Sequence, residues 1–262
     1  MKRILSIILL IFFSSTMLFS LIKIINWNVD NFNTSKKIEV LKESTKVEEK
    51  QDSIYTNIVT QSDNIESKLL QVDFTNLLAQ NSEVVGWINI PDTKIDYPFV
   101  QTNNNNYYLY HSFDKSWNDA GWIFLDYRNS INELNTNTII YGHGRLDGTM
   151  FGSLKNTMND EWLSNKGNHV VKISSISYNY LFEVFSIYKI KTTNDYLYNN
   201  FQTSTEYNSF LEKITNRSLY NFNVEVTTKD KIVTLSTCYN NTEKFVLHAK
   251  LIKQEKRYWI SN

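Results

Sequence analysis

Cysteine occurs once in these 262 residues, proline twice and glycine seven times, and 27 basic residues balance 27 acidic ones. A single thiol cannot close an intramolecular disulfide and is too few for a zinc site. With so little proline and glycine, turns must lean on Asn, Asp and Ser. Zero net charge argues against the basic footprint of a nucleic-acid-binding protein, so no nucleic acid is expected as a partner. Hydrophobic residues make up 42% of the chain and aromatics 14%, ample for a sizeable core. The length fits one domain with appendages, or two very small domains.

The N-terminus is more decisive. Lys2 and Arg3 precede an apolar run from Ile4 to Ile25, interrupted by Ser14, Ser15, Thr16, Ser20 and Lys23. A helix needs roughly 20 apolar residues to cross a bilayer core, and this run meets that. Basic residues on the N-terminal flank place that end in the cytoplasm and the remainder outside the cell. A cleaved signal peptide begins in the same way, but its apolar core is shorter and a small-x-small cleavage site is not evident here. The expectation is therefore an uncleaved single-pass membrane anchor over residues 1–25. Residues 26–71 are polar and charged, and read as a stalk, partly helical and partly flexible. The folded domain is expected over 72–262.

Asp73-Phe74-Thr75-Asn76-Leu77-Leu78 looks like a helix start with an acidic N-cap. From Val84 the pattern turns to short β-rich runs: 84–90, 121–125, 138–141, 169–173, 180–188, 232–235 and 245–252. Many short strands at close spacing predict a mainly β fold, a closed barrel or a sandwich. Two stretches read as helices. One runs from Met150 to Leu163, with Phe151, Leu154, Met158 and Trp162 at helical spacing; the other runs from Ser204 to Ile214, with Tyr207, Phe210, Leu211 and Ile214.

The lone thiol, Cys238, closes Thr234-Leu235-Ser236-Thr237-Cys238, straight after Lys231-Ile232-Val233. A thiol at a strand end is held on a rigid support, as a nucleophile requires, although a single Cys can equally be a small core residue. To act, it needs a base or a cationic neighbour. Of four histidines, His143 stands out because Gly142 and Gly144 flank it just beyond the strand Thr138 to Tyr141, which leaves the imidazole uncrowded. His169 and His248 lie inside apolar strand runs, and His111 in an aromatic, polar loop.

Thr234-Leu235-Ser236-Thr237-Cys238 resembles the TLxTC signature of sortases, the cysteine transpeptidases of Gram-positive cell surfaces. Val85-Gly86-Trp87-Ile88, Asp92-Thr93-Lys94-Ile95-Asp96-Tyr97-Pro98, Tyr107-Tyr108-Leu109 and Asp126-Tyr127-Arg128-Asn129 are similar to class B members. So are Asn137-Thr138-Ile139-Ile140-Tyr141-Gly142-His143 and Asp147-Gly148-Thr149-Met150-Phe151, and order and spacing agree from about residue 73 onward. The resemblance implies an eight-stranded sortase barrel, with Ser204 to Ile214 as the extra helix of class B.

By the same resemblance Cys238 is the nucleophile and His143 the acid that protonates the leaving amine. The family's third catalytic residue is an Arg, and its position here falls on Lys244. That is a departure, because a planar guanidinium fork and a compact ammonium are not equivalent. Arg145, two residues from His143, is a conceivable substitute. Asn105, Thr192, Tyr196, Leu197 and Ser236 are the implied substrate contacts. The implied reaction cleaves an NPxTx-like sorting signal after Thr through a thioester and passes the surface protein to an amine of the peptidoglycan precursor. It uses no cofactor and no metal. With ordinary pKa values, roughly 1% of molecules at pH 7 carry thiolate and imidazolium together. Two alternatives remain open: a pilus-polymerising sortase, and a catalytically retired barrel that serves as a binding module.

Overall fold

The computed structural model describes residues 2–50, 68–238 and 242–257. Residues 51–67 of the expected stalk lie outside the described residues.

Helix α1 runs from Lys2 to Ser44, well beyond the expected anchor. Its apolar side chains from Ile4 to Ile25 are exposed, and it is long and apolar enough to cross a bilayer. Three hydroxyls inside that run are satisfied by the helix itself. Ser15 donates to the Phe12 carbonyl, Thr16 to that of Phe13 and Ser20 to that of Thr16. Past residue 30 the helix lies against the barrel, with Thr34 and Leu41 buried there. The part of the stalk up to Ser44 is thus one docked helix. Strands β1 (Val47–Lys50) and β2 (Leu69–Val72) then form a separate antiparallel pair.

Helix α2 covers Thr75–Gln80, and Asp73 Oδ1 accepts from the Thr75 amide at 2.9 Å. The barrel strands follow: β3 (Val84–Asn89), β4 (Asp96–Val100), β5 (Phe124–Leu125), β6 (Asn137–His143), β7 (Val170–Ser175), β8 (Tyr178–Lys191), β9 (Ile232–Cys238) and β10 (Glu243–Lys256). These eight close a barrel in the order β10-β8-β7-β3-β4-β5-β6-β9. The interior is packed with Trp87, Ile88, Phe99, Ile173, Phe182, Val233, Leu235, Phe245 and Leu247.

Strand β4 is not among the runs the periodicity predicts, because Pro98 interrupts it. Proline survives there because β5 is short and pairs with β4 only at Val100, so no ladder donor is missed at residue 98. The single helix expected over Met150 to Leu163 is instead a 3-10 helix, Gly152–Met158, followed by the short α3, Asp160–Ser164. The backbone of Asn159 is extended (ψ 144°) and separates the two. Phe151, Leu154 and Trp162 are buried all the same.

Helix α4, Ser204–Asn216, opens with Thr203 accepting from the Glu206 amide at 3.1 Å, a capping contact. It covers the outer face of β8, β9 and β10. Tyr207, Phe210, Leu211 and Ile214 pack there on Phe185, Tyr188, Tyr196, Ile232 and Val246. Burial on both faces explains why β8 and β9 read as near-continuous apolar runs.

His248 is fully buried in this second layer. Thr234 Oγ1 donates to Asn137 Oδ1 at 2.7 Å, so it must accept from His248 Nδ1 at 2.8 Å; Nε2 then accepts from the Tyr188 hydroxyl at 2.9 Å. The ring is neutral and fully bonded. Burial, and secondarily the Arg217 charge, push its pKa down from 6.5 to about 3. Below pH 6.5 the unfolded chain takes up a proton that the folded chain refuses, so stability falls as the pH falls. Between pH 7 and pH 5 this one group should cost about 2 kcal/mol. Chemical denaturation at the two pH values should show that loss, and His248→Gln should flatten the pH dependence. An unchanged slope in the variant would remove His248 as its origin.

Candidate active site

Strands β6 and β9 are parallel neighbours, and their register sets His143 opposite Cys238. Strand β10 flanks β9 on its other side, antiparallel, and sets Lys244 opposite the same Cys238. The three positions form one row across three adjacent strands, each step roughly 5 Å. The alternation along β9 puts Val233 and Leu235 in the barrel interior and Ile232, Thr234 and Ser236 on the outer face. The position of Cys238 falls on that outer face, although its side chain lies outside the described part of the structure.

His143 is half-buried, and its Nε2 lies 2.7 Å from the Leu109 carbonyl. A carbonyl only accepts, so Nε2 carries the proton and Nδ1 is the nitrogen left to exchange one. Leu109 belongs to the short 3-10 turn Tyr107–Leu109, held against the barrel where the Trp122 amide donates to the Tyr108 carbonyl at 2.9 Å. Gly121 makes this close approach possible. Its φ is +57°, and a Cβ there would stand 2.5 Å from the Tyr108 oxygen, 2.7 Å from that of Leu109 and 3.0 Å from the His143 ring. Burial lowers the His143 pKa. The Leu109 bond opposes this, while the charges of Arg145 and Lys244 add to it. The net shift favours the neutral ring.

The other histidines are engaged elsewhere. His111 stacks on Tyr107 at 3.9 Å with Nδ1 on the Tyr107 carbonyl; His169 packs on Trp162 at 5.0 Å and bonds the Leu163 carbonyl. His248 is sealed under α4.

Arg145 is largely buried, but its guanidinium is turned to other partners. Nε meets Asp147 Oδ2 at 3.4 Å, and Nη2 donates to Asn31 Oδ1 on α1. A hollow of about 200 Å³ beside this turn is lined by Arg145, Leu146, Phe151, Lys155, Thr237 and Phe245 among others. It lies to the inner side of the row, and none of the five expected substrate contacts lines it.

Those five fall into three places. Tyr196 is fully buried, and its hydroxyl meets Ser236 Oγ at 2.9 Å, so it forms a floor beneath Ser236 rather than an open wall. Thr192 is exposed at the end of β8, with its amide on the Thr242 carbonyl at 2.8 Å, close to the start of β10. Asn105 and half-buried Leu197 are joined through a cluster that the sequence reading gave no role. Asp126 is fully buried and accepts from Arg128 Nε at 2.9 Å, Arg128 Nη2 at 2.7 Å, the Tyr141 hydroxyl at 2.9 Å and Asn105 Nδ2 at 3.0 Å. Arg128 also reaches the Leu197 carbonyl at 3.3 Å. Burial alone would lift the Asp126 carboxyl, but bonds from Arg128 and Tyr141 more than offset it and hold it below the usual carboxylate range. The Asp126-Tyr127-Arg128-Asn129 segment was the available signal for this cluster.

The sortase-domain family model matches residues 88–252. This chain belongs to the sortase family. A sortase B of Listeria monocytogenes is 38% identical over 184 residues, 70% of this chain and 73% of the relative. One from Staphylococcus aureus is 35% identical over 184 residues, 69% and 75% of the two chains. The crystal structure of sortase B from B. anthracis in complex with AAEK1 superposes with a TM-score of 0.69 at 37% identity, covering 86% of this chain and 99% of that one. The protein is therefore a class B sortase, a cysteine transpeptidase on a closed eight-stranded barrel.

For this sortase, the electrostatics of the row predict that His143 titrates below 6.5. Removing a neighbouring positive charge must make protonation easier, so Lys244→Ala and Arg145→Ala should each raise the midpoint. Proton NMR of the imidazole resonances against pH measures this. A midpoint above 6.5 in the unaltered chain, or a fall in either variant, would contradict it.

Proposed function

We propose that this class B sortase is held at the cell membrane by α1, N-terminus inside and barrel outside, and cleaves a C-terminal sorting signal of the NPxTx kind after its Thr. The anchor comprises residues 1–25 and the catalytic domain residues 72–262, joined by 26–71. Its substrates are surface proteins that bear the signal and an amino group of the peptidoglycan precursor.

In this reading the Cys238 thiolate adds to the Thr carbonyl carbon, and the electron pair moves to the carbonyl oxygen. Lys244, one strand away, steadies that oxyanion. As the oxygen re-forms the carbonyl, the peptide C–N bond breaks, and imidazolium His143 gives its Nδ1 proton to the departing amine. A thioester joins the surface protein to Cys238. The acceptor amine then attacks it, neutral His143 takes the proton from the incoming amine, and the thiolate leaves. The groove for the peptide runs over Ser236 between Asn105, Leu197 and Thr192.

One observation carries the reading: His143, Cys238 and Lys244 stand in a single row across β6, β9 and β10. Arg145 fits the third role less well, since its guanidinium is bound to Asp147 and Asn31. The lysine at an arginine position is the one feature favouring a retired barrel, and product formation separates the two.

A fluorogenic sorting peptide should be cleaved by the unaltered chain and not by Cys238→Ala. Lys244→Ala should lower kcat/KM by roughly 10²–10³, the scale of losing one oxyanion donor. Lys244→Arg should retain or raise activity, because the planar fork offers two aligned donors. Full cleavage by Cys238→Ala would end the transpeptidase assignment at this site. A silent Lys244→Ala beside an inactive Arg145→Ala would transfer the third role to Arg145.

A further inference from the structure

The contacts between α1 and the barrel follow one another in order along the helix. Asn31 accepts from Arg145, and Thr34 Oγ1 accepts from Asn118 at 3.1 Å. Lys37 binds Ser112 at 3.1 Å and Asp114 at 2.6 Å, and Lys42 binds Asp96 at 3.0 Å. The carbonyl of Ser44 accepts from Asn76 at 3.0 Å. Positions 31, 34, 37, 41 and 42 share one helical face, so this is a continuous docking stripe rather than a single touch. It fixes which part of the barrel lies nearest the apolar run. At 1.5 Å per residue, Asn31 stands roughly 9 Å beyond Ile25 and Ser44 roughly 28 Å beyond it.

The headgroup layer on one side of a bilayer is about 5–8 Å deep. The turn after His143 therefore sits at its outer edge, while α2 stands about 20 Å further out. The exposed apolar surface on this lower part suits such a place. Leu146, next to Arg145, is 84% exposed. Trp117, 69% exposed and stacked on Tyr110 at 5.6 Å, stands higher, in a groove that extends from Asp30 of α1 as far as Val40 of α1 and Gln80 of α2. Trp27, also exposed, follows Ile25 by two residues. Trp and Tyr are the side chains that favour the boundary between lipid and water.

We propose that the barrel rests on the outer headgroup layer with its His143 end toward the membrane, and that Leu146 is its lipid contact. This rests on the reading of α1 as a membrane span. The peptide and the acceptor amine then meet the row of His143, Cys238 and Lys244 close to the lipid surface, not at the far side of the barrel.

The test uses the full chain with Cys238→Ala, which leaves no native thiol, reconstituted into vesicles of phosphatidylcholine with 20% phosphatidylglycerol by choice of preparation, a composition of roughly one anionic lipid in five. A bimane label is placed singly at Leu146→Cys, at Ala79→Cys on exposed α2, or at Phe13→Cys in the apolar run. Lipids with a headgroup nitroxide should quench the label at 146 at least about 2-fold, as the headgroup depth argued above requires, and leave that at 79 unchanged. Lipids with an acyl-chain nitroxide should quench the label at 13. Equal, weak quenching at 146 and 79 with strong quenching at 13 overturns the orientation and leaves the anchor standing. Failure to quench at 13 overturns the anchor, and the orientation with it. All three labelled sites are exposed, so the substitutions leave the packing untouched.

Discussion

The parallel pairing of β6 with β9 is the constraint on which the rest of this molecule depends. Strands distant in sequence, 137–143 and 232–238, must meet side by side for the barrel to close, and their register alone sets His143 beside Cys238. A slip of one residue would turn every side chain of β9 to the opposite face. Val233 and Leu235 would leave the interior, and Thr234 and Ser236 would enter it. The packing of the core and the alignment of the site are therefore one requirement. Ile139, Thr234 and His248 form another row four residues along, tied by the bond from Thr234 to Asn137 and the one Thr234 accepts from His248. Such a satisfied polar chain is intolerant of slippage, because displaced partners would be left buried and unmet.

How legible each part was in the sequence follows from how local its cause is. Strands such as β7 and β8 were readable because both faces are buried and their residues are β-branched or aromatic over a whole run. Strand β4 was not, since Pro98 and Asp96 disguise it and only its neighbours show why proline is allowed. The apolar stripe from Phe151 to Trp162 correctly marks buried residues. It does not reveal the break at Asn159, which depends on a backbone angle rather than on hydropathy. The length of α1 past Ile25 was hidden as well, because polar residues there read as a solvated stalk until Asn118, Ser112, Asp114 and Asp96 are seen to receive them.

The site divides in the same way. Cys238 and His143 were visible as rare residue types at strand ends within a recognisable signature, and Lys244 as the cation ahead of Phe245-Val246-Leu247. The groups that set their environment were not. The Leu109 carbonyl that fixes the His143 tautomer comes from 34 residues upstream. Gly121, which makes room for it, carries no signal that separates it from the other glycines. Asp126, which organises Arg128, Tyr141 and Asn105, looks like any turn acid until its burial is known. Long-range support of this kind follows from topology, and a single sequence does not display topology.

The polar stripe on α1 makes residues 31–44 of that helix an integral part of the barrel's own surface. A soluble fragment starting after Ser44 would strip Asn31 from Arg145, Lys37 from Asp114 and Lys42 from Asp96, and would open the space that Leu41 fills. The first of these partners sits two residues from His143. A truncated enzyme prepared for convenience would thus have a looser histidine turn and an altered charge balance around it, and its kinetics would describe a different catalyst from the one the whole chain builds.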